Sequence, residues 1–265
     1  MSSTLNFVGV VSTAFAPAAV LFFSVVADRP VLIILLVFAA FFWLCTITIV
    51  AALWSVLIPA KQLVWLLILY ATVLQEGCRW VTYALFERLI QGLQSAGLLA
   101  AIPNRTTAHV VPASIASGLG AGVMQALVMY GDVFGGSLRP GTLYTPACRS
   151  LSVFAVDALC SCAFIVLNVL LSILGWTSAY PRKSPGLLAS IVGLHVLASG
   201  ATSLNDPAIG GENGCALALP CLFAVVVAAT ALTAHVARVA ACSAPLKGTS
   251  TQGPPDPAGG RGLPS

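Results

Sequence analysis

Residues able to do chemistry are scarce in this sequence, because Asp, Glu, Lys and Arg together make up only 8% of it. Two carboxylates, Asp132 in "MYGD" and Asp157 in "FAVDAL", raise the possibility of an aspartyl protease, which needs two such groups close enough to share a proton. Asp132 falls at the outer end of one apolar run, whereas Asp157 lies six residues past Leu151, about 9 Å deep at 1.5 Å per residue. Only a tilt or a cavity would bring them together. The paired Tyr-Asp and Gly-x-Gly-Asp motifs of intramembrane aspartyl proteases are not both present. His195 and Ser199 could be read as base and nucleophile, but both lie on one helix and no oxyanion motif accompanies them. The sequence therefore favours a noncatalytic chain over an enzyme.

The remaining polar residues in apolar surroundings are Gln75, Glu76 and Arg79 in "LQEGCRW", and His195 in "GLHVLASG". Glu76 and Arg79 are three apart, share a helix face and can neutralise each other. Alternatively, Gln75 and Glu76 look into a hydrated cavity. An intramembrane imidazole is a functional candidate, yet one hydrogen-bonded to Ser, Asn or a backbone carbonyl is a common structural feature. The eight cysteines form no metal pattern, and Cys160 and Cys162 point to different helix faces. Cys148 and Cys215 both fall near the outer side, where an oxidising compartment would permit a disulfide. No cofactor is implied.

A mean hydropathy of +0.98 and 58% apolar residues leave too few charges to cover a soluble globule of 265 residues, so the positioning elements belong in a bilayer. Apolar runs of spanning length occur at Phe7 to Val26, Val31 to Ile58, Leu63 to Phe86, Ser114 to Phe134, Leu151 to Trp176, Gly186 to Leu204 and Cys215 to Cys242. The runs are continuous rather than alternating, which predicts an all-α bundle of seven transmembrane helices over residues 1–242. Pro17 is expected to bend the first, which lacks the basic flank of a signal peptide and reads as a retained span. Residues 243–265, rich in Gly, Pro and Ser, read as a disordered tail.

Basic residues near span ends stay on the cytoplasmic side. With the N-terminus outside, the cytoplasmic segments hold Arg29, Arg88, Arg105, Arg182, Lys183, Arg238, Lys247 and Arg261; the outer ones hold Lys61, Arg139 and Arg149. This distribution predicts a lumenal or extracellular N-terminus and a cytoplasmic tail. The Asn104 sequon then faces the cytoplasm and stays unmodified. The net charge of +4 is mostly topology, and no basic stripe points to nucleic acid.

One stretch, "ASGLGAGVMQALVMYGD", strips side chains from a helix face: Ser114, Gly118, Gly122 and Ala126 fall four apart. Inside a membrane, small residues at this spacing let two backbones approach closely. The groove could hold another helix of the same chain or dock a different subunit.

Taken in order, "FVGVVSTAFAPAAVLFF", "AAFFWL", "VLQEGCRWVTYALF", "SGLGAG" and "GLHVLASGATSLNDP" resemble the anterior-pharynx-defective (Aph) family, the seven-span scaffold subunit of γ-secretase. The resemblance covers nearly the whole membrane part but not the tail. It implies a noncatalytic subunit that assembles with presenilin, nicastrin and presenilin enhancer, supporting intramembrane proteolysis of type I membrane proteins such as Notch. It implies residence in endoplasmic reticulum, Golgi and plasma or endosomal membranes. It also matches Gly118 and Gly122 to the family's glycine motif, with Ala126 in place of the third glycine, and His195 to one of two intramembrane histidines. The other histidine is replaced here by Asn168, which cannot carry a proton at neutral pH. A seven-span receptor or small transporter is the rival reading on topology, but the sequence offers no ligand motif for one.

Overall fold

A computed structural model of the chain describes residues 3–57, 64–96, 107–138 and 143–242. The Asn104 sequon, Lys61, Arg105, Arg139, Lys247, Arg261 and the 243–265 tail lie outside these residues. Seven long helices run through the described part: α1 (Ser3–Leu21), α2 (Pro30–Leu57), α3 (Val64–Ser95), α4 (Thr107–Gly136), α5 (Val153–Leu174), α6 (Pro185–Ser203) and α7 (Gly214–Cys242). The chain is an all-α polytopic membrane protein.

Six of these helices are long and apolar enough to cross a bilayer. The seventh, α3, is 32 residues long and carries Gln75, Glu76 and Arg79 in its middle, where all three are buried in the bundle. Its reduced apolarity thus reflects an interior polar site rather than exposure to water. The helix also continues past Phe86 to Ser95, and α4 begins at Thr107 rather than Ser114. Backbone hydrogen bonding carries α3 on through the polar-rich "ERLIQGLQS" and starts α4 at "TAHVVPA", ahead of the small-residue face; α3 alone would measure about 48 Å at 1.5 Å per residue.

Helix ends follow local chemistry. Ser152 caps α5 by accepting from the Ala155 amide at 3.3 Å, and Ser184 caps α6 just before Pro185. Between them, Gly175–Ala179 is a π-helical turn and Lys183 adopts a left-handed φ of 50°, which reverses the chain. Pro17 lies inside α1, which continues through it to a second π-helical segment, Phe22–Val26.

The buried centre is α5, packed against α1, α4, α6 and α7, while α4 also packs on α2, and α3 on α2 and α6. Ile165, Leu167, Leu171, Leu174 and Trp176 are fully enclosed. Trp176 packs near Tyr83 and Phe86 at centroid distances of 5.6 and 5.3 Å, tying α3 to the turn that follows α5.

The glycine face of α4 is taken up by α5. A Cβ at Gly118 would sit 2.7 Å from both the Asn168 carbonyl oxygen and Val169 Cα; one at Gly122 would meet Ile165 Cα at 2.9 Å. Ser114 and Ala126 are fully buried at either end of the series. On another face of α4, Gly120 lies directly against the Leu36 carbonyl of α2. Helix α4 is thus pressed between two backbones, which explains why larger side chains are missing there.

Candidate functional site

The intramembrane polar residues converge on one buried cluster between α3, α4, α5 and α6. Arg79 is its hub. Its Nε donates to Glu76 Oε2 at 2.9 Å and Nη2 donates to Glu76 Oε1 at 3.1 Å. Nη2 also donates to Asn168 Oδ1 at 3.0 Å, while Nη1 donates to the Asn168 carbonyl at 2.8 Å and to Ser172 Oγ at 2.6 Å. A guanidinium has five N–H groups, and every one finds an acceptor. Transfer of charge out of water costs several kcal/mol per ion, a penalty offset only by close pairing and full hydrogen bonding.

Asn168 spreads the cluster. Its Nδ2 donates to Gln125 Oε1 on α4 at 2.8 Å and to the Phe164 carbonyl at 2.9 Å. His195 reaches it from α6, with Nδ1 2.6 Å from Glu76 Oε1. Because that oxygen also accepts from Arg79, it is an acceptor toward the imidazole too, so the Nδ1–H is assigned as the donor. Six side chains and two main-chain carbonyls thereby link four helices.

Glu76, Arg79, Asn168 and His195 therefore share one site, with Gln75 beside it; Gln75 Oε1 is buried without a hydrogen-bond partner. The glycine groove belongs to the same construction, because Gly118 faces Ser172 Oγ and the Asn168 carbonyl, two of the acceptors Arg79 uses. Ser172 and Gln125 were not singled out from the sequence. A signal existed for each: Ser172 is four residues after Asn168 on one helix face, and Gln125 continues the small-residue face of α4.

The two aspartates stand apart from this cluster. Asp132 is exposed on α4, Asp157 is half-buried on α5, and no hydrogen bond joins them among the described residues. His195 bonds to Glu76 rather than to Ser199. No group of three or more His, Cys, Asp or Glu side chains able to hold a metal occurs among the described residues.

At one end of the bundle, Cys148 and Cys215 form a disulfide with Cα atoms 5.3 Å apart, joining the α4–α5 connection to the start of α7. The Cys215 amide donates to the Ala147 carbonyl at 3.1 Å, and Arg149 pairs with Glu212 at 3.2 Å in the open. Asn6 of α1 reaches the Ser137 carbonyl at 3.4 Å, which puts the N-terminal end on this same side. Toward the opposite end, a cleft of about 560 Å³ is lined by residues including Asp28, Arg29, Glu87 and His109.

Residues 5–239 match the family model described as Aph-1 protein. The chain is 30% identical over 209 residues to the human protein named gamma-secretase subunit APH-1B, covering 76% of this chain and 79% of the human one. It is 29% identical over 200 residues to gamma-secretase subunit Aph-1 of Drosophila melanogaster, covering 76% and 81%. A gamma-secretase subunit APH1-like protein of Arabidopsis thaliana is 25% identical over 223 residues, covering 82% and 87%.

Proposed function

Because the chain belongs to the Aph-1 family, we propose that it is a noncatalytic scaffold and assembly subunit of a γ-secretase complex. Its partners are then presenilin, nicastrin and presenilin enhancer, and its role is to support intramembrane proteolysis of type I membrane proteins, Notch among them. The observation that carries the reading is the saturation of Arg79: all five of its N–H groups bind within the chain, to Glu76, Asn168 and Ser172. Such a site holds helices in register and leaves no guanidinium donor for a substrate. Residues 1–242 form the membrane domain in this proposal, and 243–265 a cytoplasmic tail.

The disulfide supports the proposed orientation, since such bonds form in oxidising compartments. In this proposal the α4–α5 connection, the start of α7 and the N-terminal end lie on the lumenal or extracellular side, and the chain resides in endoplasmic reticulum, Golgi and plasma or endosomal membranes. Replacement of the family's second histidine by Asn168 preserves the hydrogen bonds of the site while leaving His195 its one imidazole.

Purification of the tagged full chain from membranes in mild detergent tests the proposal. Presenilin and nicastrin should co-purify, and Asp132→Asn with Asp157→Asn should leave cleavage per assembled complex nearly intact. Loss of cleavage at unchanged complex abundance would replace the scaffold by an enzyme. Absence of both partners would return the chain to the receptor or transporter class.

A further inference from the structure

The cleft of about 560 Å³ at the end of the bundle opposite the disulfide has walls from the start of α2, the end of α3 and the start of α4. Its volume falls within the range of small-ligand sites, about 300–1,000 Å³. Two of its lining residues, Asp28 and Arg29, lie between the spanning segments Thr4–Val26 and Pro30–Val56, and a third, His109, opens the segment His109–Gly136, which puts all three at the membrane boundary. Their side chains are exposed, and none makes a hydrogen bond or ion pair among the described residues. Behind them the floor is apolar, with Leu32, Val110 and Ala113 buried. Val31 at the rim begins an exposed stripe of α2 that runs through Ile34, Phe38 and Phe41 at helical spacing. Two unpartnered charges of opposite sign therefore stand where an apolar floor runs out along an apolar stripe.

We propose that the cleft seats the headgroup of an ethanolamine-class phospholipid, with its phosphate on Arg29 and His109, its ammonium on Asp28 and its acyl chains along the α2 stripe. A guanidinium and an imidazole N–H donate to phosphate oxygens, and a primary ammonium offers three N–H groups to a carboxylate. A choline headgroup has no N–H to donate and is held instead by cages of aromatic rings; Phe86 is the one aromatic lining residue among the described residues. A headgroup with a second negative charge would meet the carboxylates of Asp28 and Glu87. A soluble zwitterion would leave the stripe from Val31 to Phe41 unused. The inference rests on the membrane placement of the chain and not on the scaffold role.

The full chain, purified in mild detergent, titrated with synthetic lipids of matched acyl chains and weighed intact by native mass spectrometry, supplies the test. Phosphatidylethanolamine should be retained at concentrations about tenfold lower than phosphatidylcholine, the factor that one charge-assisted hydrogen bond is worth. Asp28→Asn should remove that preference, whereas Arg29→Gln should weaken both lipids alike, because both carry the phosphate. Both positions are exposed, so neither exchange disturbs the core. A phosphatidylethanolamine with a diazirine on its acyl chain should label residues 30–41. Equal retention of the two lipids by the unaltered chain overturns the proposal, whatever the variants do, and so does a preference that survives Asp28→Asn. Displacement by soluble glycerophosphoethanolamine at matching concentration would replace the lipid by a soluble zwitterion. Labelling spread evenly over the lipid-facing helices overturns the site as well.

Discussion

Gly118 of α4 faces the carbonyl oxygen of Asn168 so closely that a Cβ there would lie 2.7 Å from it, and the same oxygen accepts the Arg79 guanidinium at 2.8 Å. The small-residue groove and the charged cluster are therefore one structure. Close approach of α4 and α5 is what brings Gln125 to Asn168, and a side chain at position 118 would push apart the two helices that complete the site.

Gly118→Ala is expected to destabilise the chain by about 1–3 kcal/mol, since the clash involves backbone atoms and not the tip of a flexible side chain. Gly122→Ala, with its contact at 2.9 Å, should cost somewhat less, and Leu at either position more. Gly131→Ala meets nothing within 4 Å and should be neutral or gain roughly 0.5–1 kcal/mol of helix preference. Thermal unfolding of the purified chain in detergent ranks the three. Equal losses at 118 and 131 would detach the groove from close packing. Co-purification of partners, measured on the same variants, separates loss of folding from loss of docking.

Removing one member of the Glu76–Arg79 pair should be worse than removing both. Glu76→Leu leaves a buried guanidinium without its carboxylate, an arrangement that typically costs about 3–5 kcal/mol. Glu76→Leu with Arg79→Met removes both charges and should recover much of that loss. Membrane abundance and detergent unfolding midpoints of the two single variants and the double supply the coupling energy. Strict additivity would show that the pair does not act as a unit.

The seven helices and the Glu76–Arg79 face were legible in the sequence because both are local: an apolar run sets a span, and spacing of three sets a helix face. The partners of that face were not. Arg79 meets Asn168 across 89 residues of chain and His195 meets Glu76 across 119, distances at which only packing decides who is adjacent. The Gly118 and Gly122 spacing told which side of α4 is flat and left its occupant open. A main-chain acceptor such as the Asn168 carbonyl carries no signature in residue type at all.

Asn168 makes its own prediction, because the resemblance places a histidine there. A ring with one acceptor and one donor nitrogen could accept from Arg79 and donate to Gln125, as the amide does now. Asn168→His should therefore keep more stability and more complex than Asn168→Leu, which strands Arg79 Nη2 and Gln125 Oε1 at a cost of about 1–3 kcal/mol for each unsatisfied buried group. Chain half-life and yield of purified complex give the comparison. Equal losses for His and Leu would mean that volume, not hydrogen bonding, governs this position.

The Cys148–Cys215 bond closes a loop across a sequence separation of 67, spanning α5 and α6. Chain-entropy estimates for a loop of that length reach roughly 4 kcal/mol, an upper bound here because spans confined to a bilayer are already restricted. Cys148→Ser should thus lower the unfolding midpoint, and Cys148→Ser with Cys215→Ser should be no worse than either alone, since one bond is lost in every case. A thiol-reactive polymer supplies the second readout. Without reductant, sealed cells should give no modification at either cysteine in the native chain; Cys148→Ser should expose Cys215 to an impermeant reagent added from outside. Modification of Cys215 only after the membrane is opened from the cytoplasmic side would reverse the orientation proposed for the whole bundle, whereas modification of Cys148 or Cys215 themselves in the native chain without reductant, mapped apart from the free Cys45, Cys221 and Cys242, would show that the two thiols are not joined.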